Sequence, residues 1–343
     1  MRLAIAMAFA VLVWAGATVA AGPAFPILDE AGIPHATAKT RAGYAEFLVS
    51  GLPRAFAVGS DGSFGGSWGQ GSLEVARAKA LENCSKAGGI GCAIYAENLD
   101  VVWLGERPAQ APAVPDALIS GTGYAFVPDP RFLWHGPQAA RGIVVWSHGK
   151  GKTDERGEQP PSYTRWFNNA GFDVVRFDRA MEWDDKERAA QWLRDGLAAL
   201  RARGWRMVVA AGQSRGAWNS LQMLDTPGLA DVVIAVSPAA QGTDAGNIAL
   251  RQGPELYTIA QRAHAPQTRV AFVQFAHDPY SDNQDERVDR FRNILFHGVA
   301  AGLIIDRPDG FSGHGAGFSS EFGLKYGSCL LHFALDATPP KAC

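Results

Sequence analysis

Met207-Val208-Val209-Ala210-Ala211-Gly212-Gln213-Ser214-Arg215-Gly216-Ala217-Trp218-Asn219-Ser220-Leu221-Gln222-Met223-Leu224 is the stretch on which the fold turns. Its first five residues are an apolar run short enough for a buried strand, and its last eight read as a helix. The Gly-x-Ser-x-Gly segment between them makes a tight strand-to-helix turn. Glycines two residues to either side of Ser214 let strand and helix approach without Cβ clashes, which leaves the serine at an exposed tip beside amide donors. Five residues alone are a weak pattern; the strand-turn-helix setting is what gives it weight.

Working outward, strands and helices alternate. Ile143–Ser147 is a strand, residues 163–170 a helix, Phe172–Phe177 a strand and Lys186–Arg203 a long amphipathic helix leading to the serine turn. Val232–Val236, Val270–Phe275 and Gly302–Ile305 are further apolar strands. This alternation implies a parallel sheet covered by helices on both faces, an α/β, doubly wound, mostly parallel arrangement. No internal repeat or low-complexity tract interrupts it.

Two later residues complete a catalytic order. Asp278 follows the strand ending at Phe275, and His314 lies in the Gly-rich loop Asp309-Gly310-Phe311-Ser312-Gly313-His314-Gly315-Ala316-Gly317 after the last strand. From about residue 117 to 336 the chain resembles the α/β-hydrolase superfamily, in particular its serine esterases and dienelactone hydrolases, whose catalytic residues follow the order Ser, Asp or Glu, His. The resemblance implies hydrolysis of carboxylic esters through an acyl-enzyme, with Ser214 as nucleophile, His314 as base and Asp278 holding the imidazole. Asp282 stands close enough to serve as the acid instead. The other histidines fit less well: His297 and His332 sit in helical surroundings, His264 in a surface helix, and His35 and His135 precede the central strands. The oxyanion needs two backbone donors. One is the amide of Arg215, and the other belongs to Gly149 or Lys150 in the segment His148-Gly149-Lys150-Gly151, where His148 serves as an organising residue. Gly151-Lys152-Thr153 imitates the end of a phosphate-binding loop, but Trp146 stands where that motif needs its first glycine.

Nothing in this reading calls for a metal or an organic cofactor. The expected partner is a small or extended acyl ester. Peptide or amide hydrolysis by the same triad is the enzymatic alternative, and a non-catalytic envelope-binding protein on a hydrolase scaffold is the alternative of another class.

The 343 residues carry a formal net charge of −2 and no Lys/Arg cluster, so the electrostatic footprint of a nucleic-acid binder is missing. At the amino terminus, Met1-Arg2, an apolar run to Trp14, small residues to Ala21 and Gly22-Pro23 have the layout of a secretory leader spanning residues 1–21, removed near Ala20 or Ala21. No cysteine follows for a lipid anchor, and no later stretch is long and apolar enough for a membrane span, which points to a periplasmic or secreted protein. Four cysteines suit that compartment. Three pairings are open to them; the two local ones, Cys84 with Cys92 and Cys329 with Cys343, close the shortest loops and cost least entropy.

A Pro/Ala-rich linker at 107–116 divides a small α+β domain, residues 22–106, from the hydrolase domain, residues 117–343. Upstream of it, Arg54–Val58 reads as a strand, Phe64–Gly69 as a turn, the residues after Ser72 as a helix and Ala93–Trp103 as one more strand. This module carries no acid, base and nucleophile together and reads as structural or as a binding module of unknown ligand. Few contacts are expected to cross the proline-rich boundary.

Overall fold

The structure is a computed structural model that describes residues 26–103, 112–151, 153–240, 248–281 and 283–343. The expected leader, linker residues 107–111 and Asp282 lie outside the described residues.

The amino-terminal part begins with α1 (Ala38–Val49), whose start is closed by reciprocal hydrogen bonds between Thr37 and Thr40. Next come β1 (Arg54–Val58), β2 (Phe64–Trp68), α2 (Leu73–Lys86, capped by Ser72), β3 (Ala93–Glu97) and β4 (Asp100–Val101). These strands form an antiparallel sheet in the order β2-β1-β3-β4. Two expectations need correction. Phe64–Gly69 is a strand for most of its length and not a turn; its glycines serve packing, since a Cβ on Gly65 would overlap the backbone of α2 at Ala80 and Cys84. Ala93–Trp103 is a hairpin and not one strand, because Asn98 turns the chain in the left-handed region at φ 49°.

The larger part contributes β5 (Ile119–Gly121), β6 (Tyr124–Pro128), β7 (Gly142–Ser147), α3 (Thr164–Asn169), β8 (Phe172–Arg179), α4 (Lys186–Ala202), β9 (Val208–Gln213), α5 (Arg215–Gln222), β10 (Val232–Val236), α6 (Ile248–Arg262), β11 (Ala265–Gln274), α7 (Gln284–Asn293), β12 (Val299–Asp306) and α8 (Ser320–Leu335). Its eight strands lie in the order β12-β11-β10-β9-β7-β8-β6-β5. From β8 to β12 every pairing is parallel, and β5 and β6 add an antiparallel edge. The chain runs outward from β7 to β8 and then crosses back to β9. Where strand order reverses in this way, a crevice opens at the carboxyl ends of the strands, and here it lies between the loop after β7 and the serine turn after β9.

Side chains alternate across the sheet into two cores. Ile143, Val145, Val208, Ala210, Val233 and Ala235 face α4, α5 and α6, while Val144, Trp146, Val209, Ala211 and Ile234 face α3 and α8. The second of these cores continues into Tyr44, Phe47, Leu48 and Phe56 of the amino-terminal part. The expectation of few contacts across the boundary is therefore not met: α1 packs on α3 and α8, and Arg54 donates to Asn169 Oδ1 at 2.6 Å. Prolines mark where the chain passes between the parts; they do not report what the folded surfaces share. Both local disulfides, Cys84–Cys92 and Cys329–Cys343, are formed. Among the described residues no helix is long and apolar enough to cross a membrane.

Candidate active site

Ser214 occupies a one-residue turn between β9 and α5, with φ 54° and ψ −119°. A non-glycine residue reaches positive φ only when its surroundings impose it. They do so here through close packing: a Cβ on Gly212 would overlap the backbone of Gly216, and one on Gly216 would overlap Ser147 at the end of β7. The Ser214 amide donates to Val236 O at 3.0 Å and its carbonyl accepts from the Ala239 amide at 3.2 Å, which ties the turn to the end of β10.

The histidine and the acid meet at the next strand ends. His314 Nδ1 lies 2.9 Å from both Asp278 carboxylate oxygens, and the acid side chain is only 1% exposed. Their loops are joined by a parallel bridge between Ala276 and Ser312 and by the Gly313 amide donating to Ala276 O at 2.8 Å. Asp278 Oδ1 also accepts from the Tyr280 amide at 2.9 Å, and the Tyr280 ring centroid stands 4.4 Å from that of the imidazole. Gln213, immediately before Ser214, donates from Nε2 to the His314 carbonyl at 2.6 Å, so the histidine loop is fastened beside the serine turn. Because Nδ1 faces a carboxylate, the hydrogen bonding assigns it the proton and leaves Nε2 as the basic nitrogen. That nitrogen is buried and has no hydrogen-bond partner.

The segment after β7 lies against the same turn. A Cβ built on Gly149 would stand 3.4 Å from Ser214 Cβ and 3.9 Å from its Oγ. His148 is buried between two fixed partners: Nε2 accepts from the Arg179 amide at 3.0 Å, so Nδ1 carries the proton and donates to Gly149 O at 2.6 Å. Burial, then the neighbouring Arg179 guanidinium, holds this imidazole well below its usual value of 6.5, so it stays neutral. A neutral ring used at both nitrogens ties the segment after β7 to the end of β8. Beside it, a cavity of about 280 Å³ is lined by Lys150, Arg215 and residues 184–187.

The structure thus brings Ser214, Asp278, His314, Arg215, Gly149 and Lys150 to neighbouring strand ends. His332 pairs with Asp336 on another element, at 3.2 Å. Sequence reasoning missed Gln213, Tyr280 and Arg179. For Arg179 a signal was present: Asp173, Arg176, Asp178 and Arg179 punctuate an otherwise apolar strand, all four are buried, and buried charges need partners. Among the described residues no group of three or more His, Cys, Asp and Glu side chains could hold a metal ion.

An eight-stranded sheet with this order, an antiparallel edge at β5 and β6, and a Gly-x-Ser-x-Gly turn after β9 decides the fold. It is the α/β-hydrolase fold. No family model matches the chain, and no curated protein compared with it matches in sequence. Similar solved structures include an esterase of Pyrococcus furiosus, at 12% identity over 60% of this chain and 85% of that one, with a TM-score of 0.43. An acylaminoacyl peptidase of Pyrococcus horikoshii aligns at 14% identity over 61% of this chain and 38% of its own, with a TM-score of 0.45. Est1E from Butyrivibrio proteoclasticus aligns at 12% identity over 61% of this chain and 93% of its own, with a TM-score of 0.42.

Proposed function

We propose that the chain is an exported serine hydrolase that cleaves carboxylic esters through Ser214, His314 and Asp278. The observation that carries this reading is the His314–Asp278 pair, its free Nε2 buried and its loop fastened by Gln213 next to a serine held at positive φ.

The Ser214 hydroxyl passes its proton to His314 Nε2 as Oγ bonds to the ester carbonyl carbon, and the carbonyl π pair moves to oxygen. The amides of Arg215 and of Gly149 or Lys150 receive that oxyanion. On collapse the carbon–oxygen bond to the alcohol breaks, and the leaving oxygen takes the proton from His314. Water then attacks the acyl-enzyme by the same route, giving the carboxylic acid and free Ser214. Asp278 keeps the imidazole in the required tautomer and stabilises its positive charge without taking the proton. The two disulfides and the leader-like amino terminus support export, since disulfides persist in oxidising compartments. Within the small α+β domain, α1 acts in this reading as a structural cover for α3 and α8.

The test is labelling by a fluorophosphonate probe together with a panel of p-nitrophenyl esters of graded acyl length, lactones and peptide anilides. Labelling at Ser214 with ester turnover, both lost in Ser214→Ala, supports the assignment. Faster turnover of anilides than of esters would replace ester by amide hydrolysis. A parent chain that neither labels nor turns over any substrate would leave a scaffold with a binding role.

A further inference from the structure

Arg179, the last residue of β8, is fully buried, and its side chain divides among four groups around the proposed oxyanion segment. Nη1 donates to Ser147 Oγ at 2.7 Å, and Nη2 donates to the carbonyls of His148 at 2.7 Å and Gly149 at 3.2 Å. Nε donates to Asp184 Oδ1 at 3.1 Å, in an ion pair whose side chains are 0% and 2% exposed. The Arg179 amide holds His148 Nε2, and His148 Nδ1 holds the Gly149 carbonyl a second time. Two successive carbonyls, those of 148 and 149, are thus turned toward one buried cation.

That has a consequence for the amides. In a trans peptide the N–H points opposite to the C=O of the same unit. Drawing the His148 carbonyl to Arg179 turns the Gly149 N–H away from the guanidinium, and drawing the Gly149 carbonyl inward does the same for the Lys150 N–H. This segment lies against the serine turn, where a Cβ on Gly149 would stand 3.4 Å from Ser214 Cβ and 3.9 Å from its Oγ. A flexible Gly-Lys-Gly run could present either face of its peptides to the crevice; the guanidinium selects one. A lysine could not do the same, since its single ammonium has no planar fork to hold two carbonyls, a hydroxyl and a carboxylate together.

Resting on the serine-hydrolase reading above, we propose that Arg179 is the positioning residue of the oxyanion site: it aims the Gly149 and Lys150 amides by holding the carbonyls behind them, without touching substrate. Such a residue affects the charged tetrahedral state more than the neutral ester. Its loss therefore lowers kcat with little change in KM, by about the 10²- to 10³-fold that follows removal of one oxyanion donor.

The experiment compares the parent chain with Arg179→Ala and Arg179→Lys, normalising kcat to sites titrated by a fluorophosphonate probe. It also measures inhibition by an alkyl boronic acid, whose tetrahedral adduct carries the negative charge. A fall in kcat per titrated site of at least about 10²-fold in Arg179→Ala, a smaller fall in Arg179→Lys, an unchanged KM and a matching loss of boronate affinity support the proposal. Should Arg179→Ala fail to fold, Arg179→Lys decides: at least a tenfold lower kcat per site, with boronate affinity falling in step, supports it. An unchanged kcat per titrated site in Arg179→Lys or in folded Arg179→Ala, with only the melting temperature or the number of active sites reduced, would make the residue merely structural and overturn this proposal alone. A parent chain that does not label at Ser214 overturns the hydrolase reading and this proposal with it.

Discussion

Replacing Arg54 by methionine tests whether the amino-terminal module and the hydrolase sheet form one cooperative unit. Arg54 is fully buried, and its guanidinium donates to Phe47 O at 2.7 Å, Leu48 O at 2.8 Å, Ser50 O at 3.1 Å, Asn98 O at 2.9 Å and Asn169 Oδ1 at 2.6 Å. The first three acceptors close the carboxyl-terminal end of α1, where a cation is favoured by the helix dipole. The last belongs to α3, across the boundary between the parts. Methionine fills similar space and strands these oxygens, each at a cost of about 1–3 kcal/mol. Relief from burying a charge offsets part of that sum, and breaking a buried charged network by removing one partner typically costs about 3–5 kcal/mol. Since whole domains are stable by only about 5–15 kcal/mol, the loss should be plain in urea unfolding followed by tryptophan fluorescence. The expected result is one transition at a lower midpoint with an unchanged slope, because Tyr44, Phe47 and Phe56 share a core with Val144, Trp146 and Phe322. A loss below about 1 kcal/mol, or two transitions with the later one at the parental midpoint, would refute the shared-core argument.

Ser214→Ala and His314→Ala should each lower kcat by about 10⁴-fold or more, and the double variant little further, since triad members act as one unit; additive losses in ester assays would separate them. Asp278→Asn should cost about 10⁴-fold in kcat by favouring the wrong imidazole tautomer, whereas Asp282→Asn should be mild; the reverse ranking would move the acid to Asp282. A chain beginning at Ala111 loses the residues that cover α3 and α8, so it should aggregate or melt well below the full-length protein; a soluble truncation with the parental melting temperature and ester turnover would restore the separable-domain view. Between pH 6.5 and the depressed folded value of His148, the unfolded chain binds a proton that the folded chain does not, so stability falls as pH falls, by up to about 1.4 kcal/mol per pH unit. Buried Asp173, raised from 3.8 to about 6 by desolvation, works in the opposite sense over that interval, so the comparison is made against His148→Asn. Equal losses of urea midpoint between pH 7 and 5.5 in the parent and the variant would rule out the buried neutral imidazole.

What the sequence determined by itself was local. The alternation of apolar strands with amphipathic helices, the glycines that permit the serine turn, the short disulfide loops and the order of Ser214, Asp278 and His314 are all readable from neighbours within a few residues, because periodicity and turn chemistry act at that range. The misreadings share one cause. Gly65 looks like a turn residue until α2 is laid across it, and α1, which has a glycine at its centre, escaped notice because its burial is decided by α3 and α8. Arg54 meets Asn169 at a separation of 115 residues and Arg179 meets Ser147 at 32, so no window along the chain holds both members of either pair. A buried guanidinium is tolerable only where several acceptors converge on it, and that convergence exists only after β7, β8, α1 and α3 have packed.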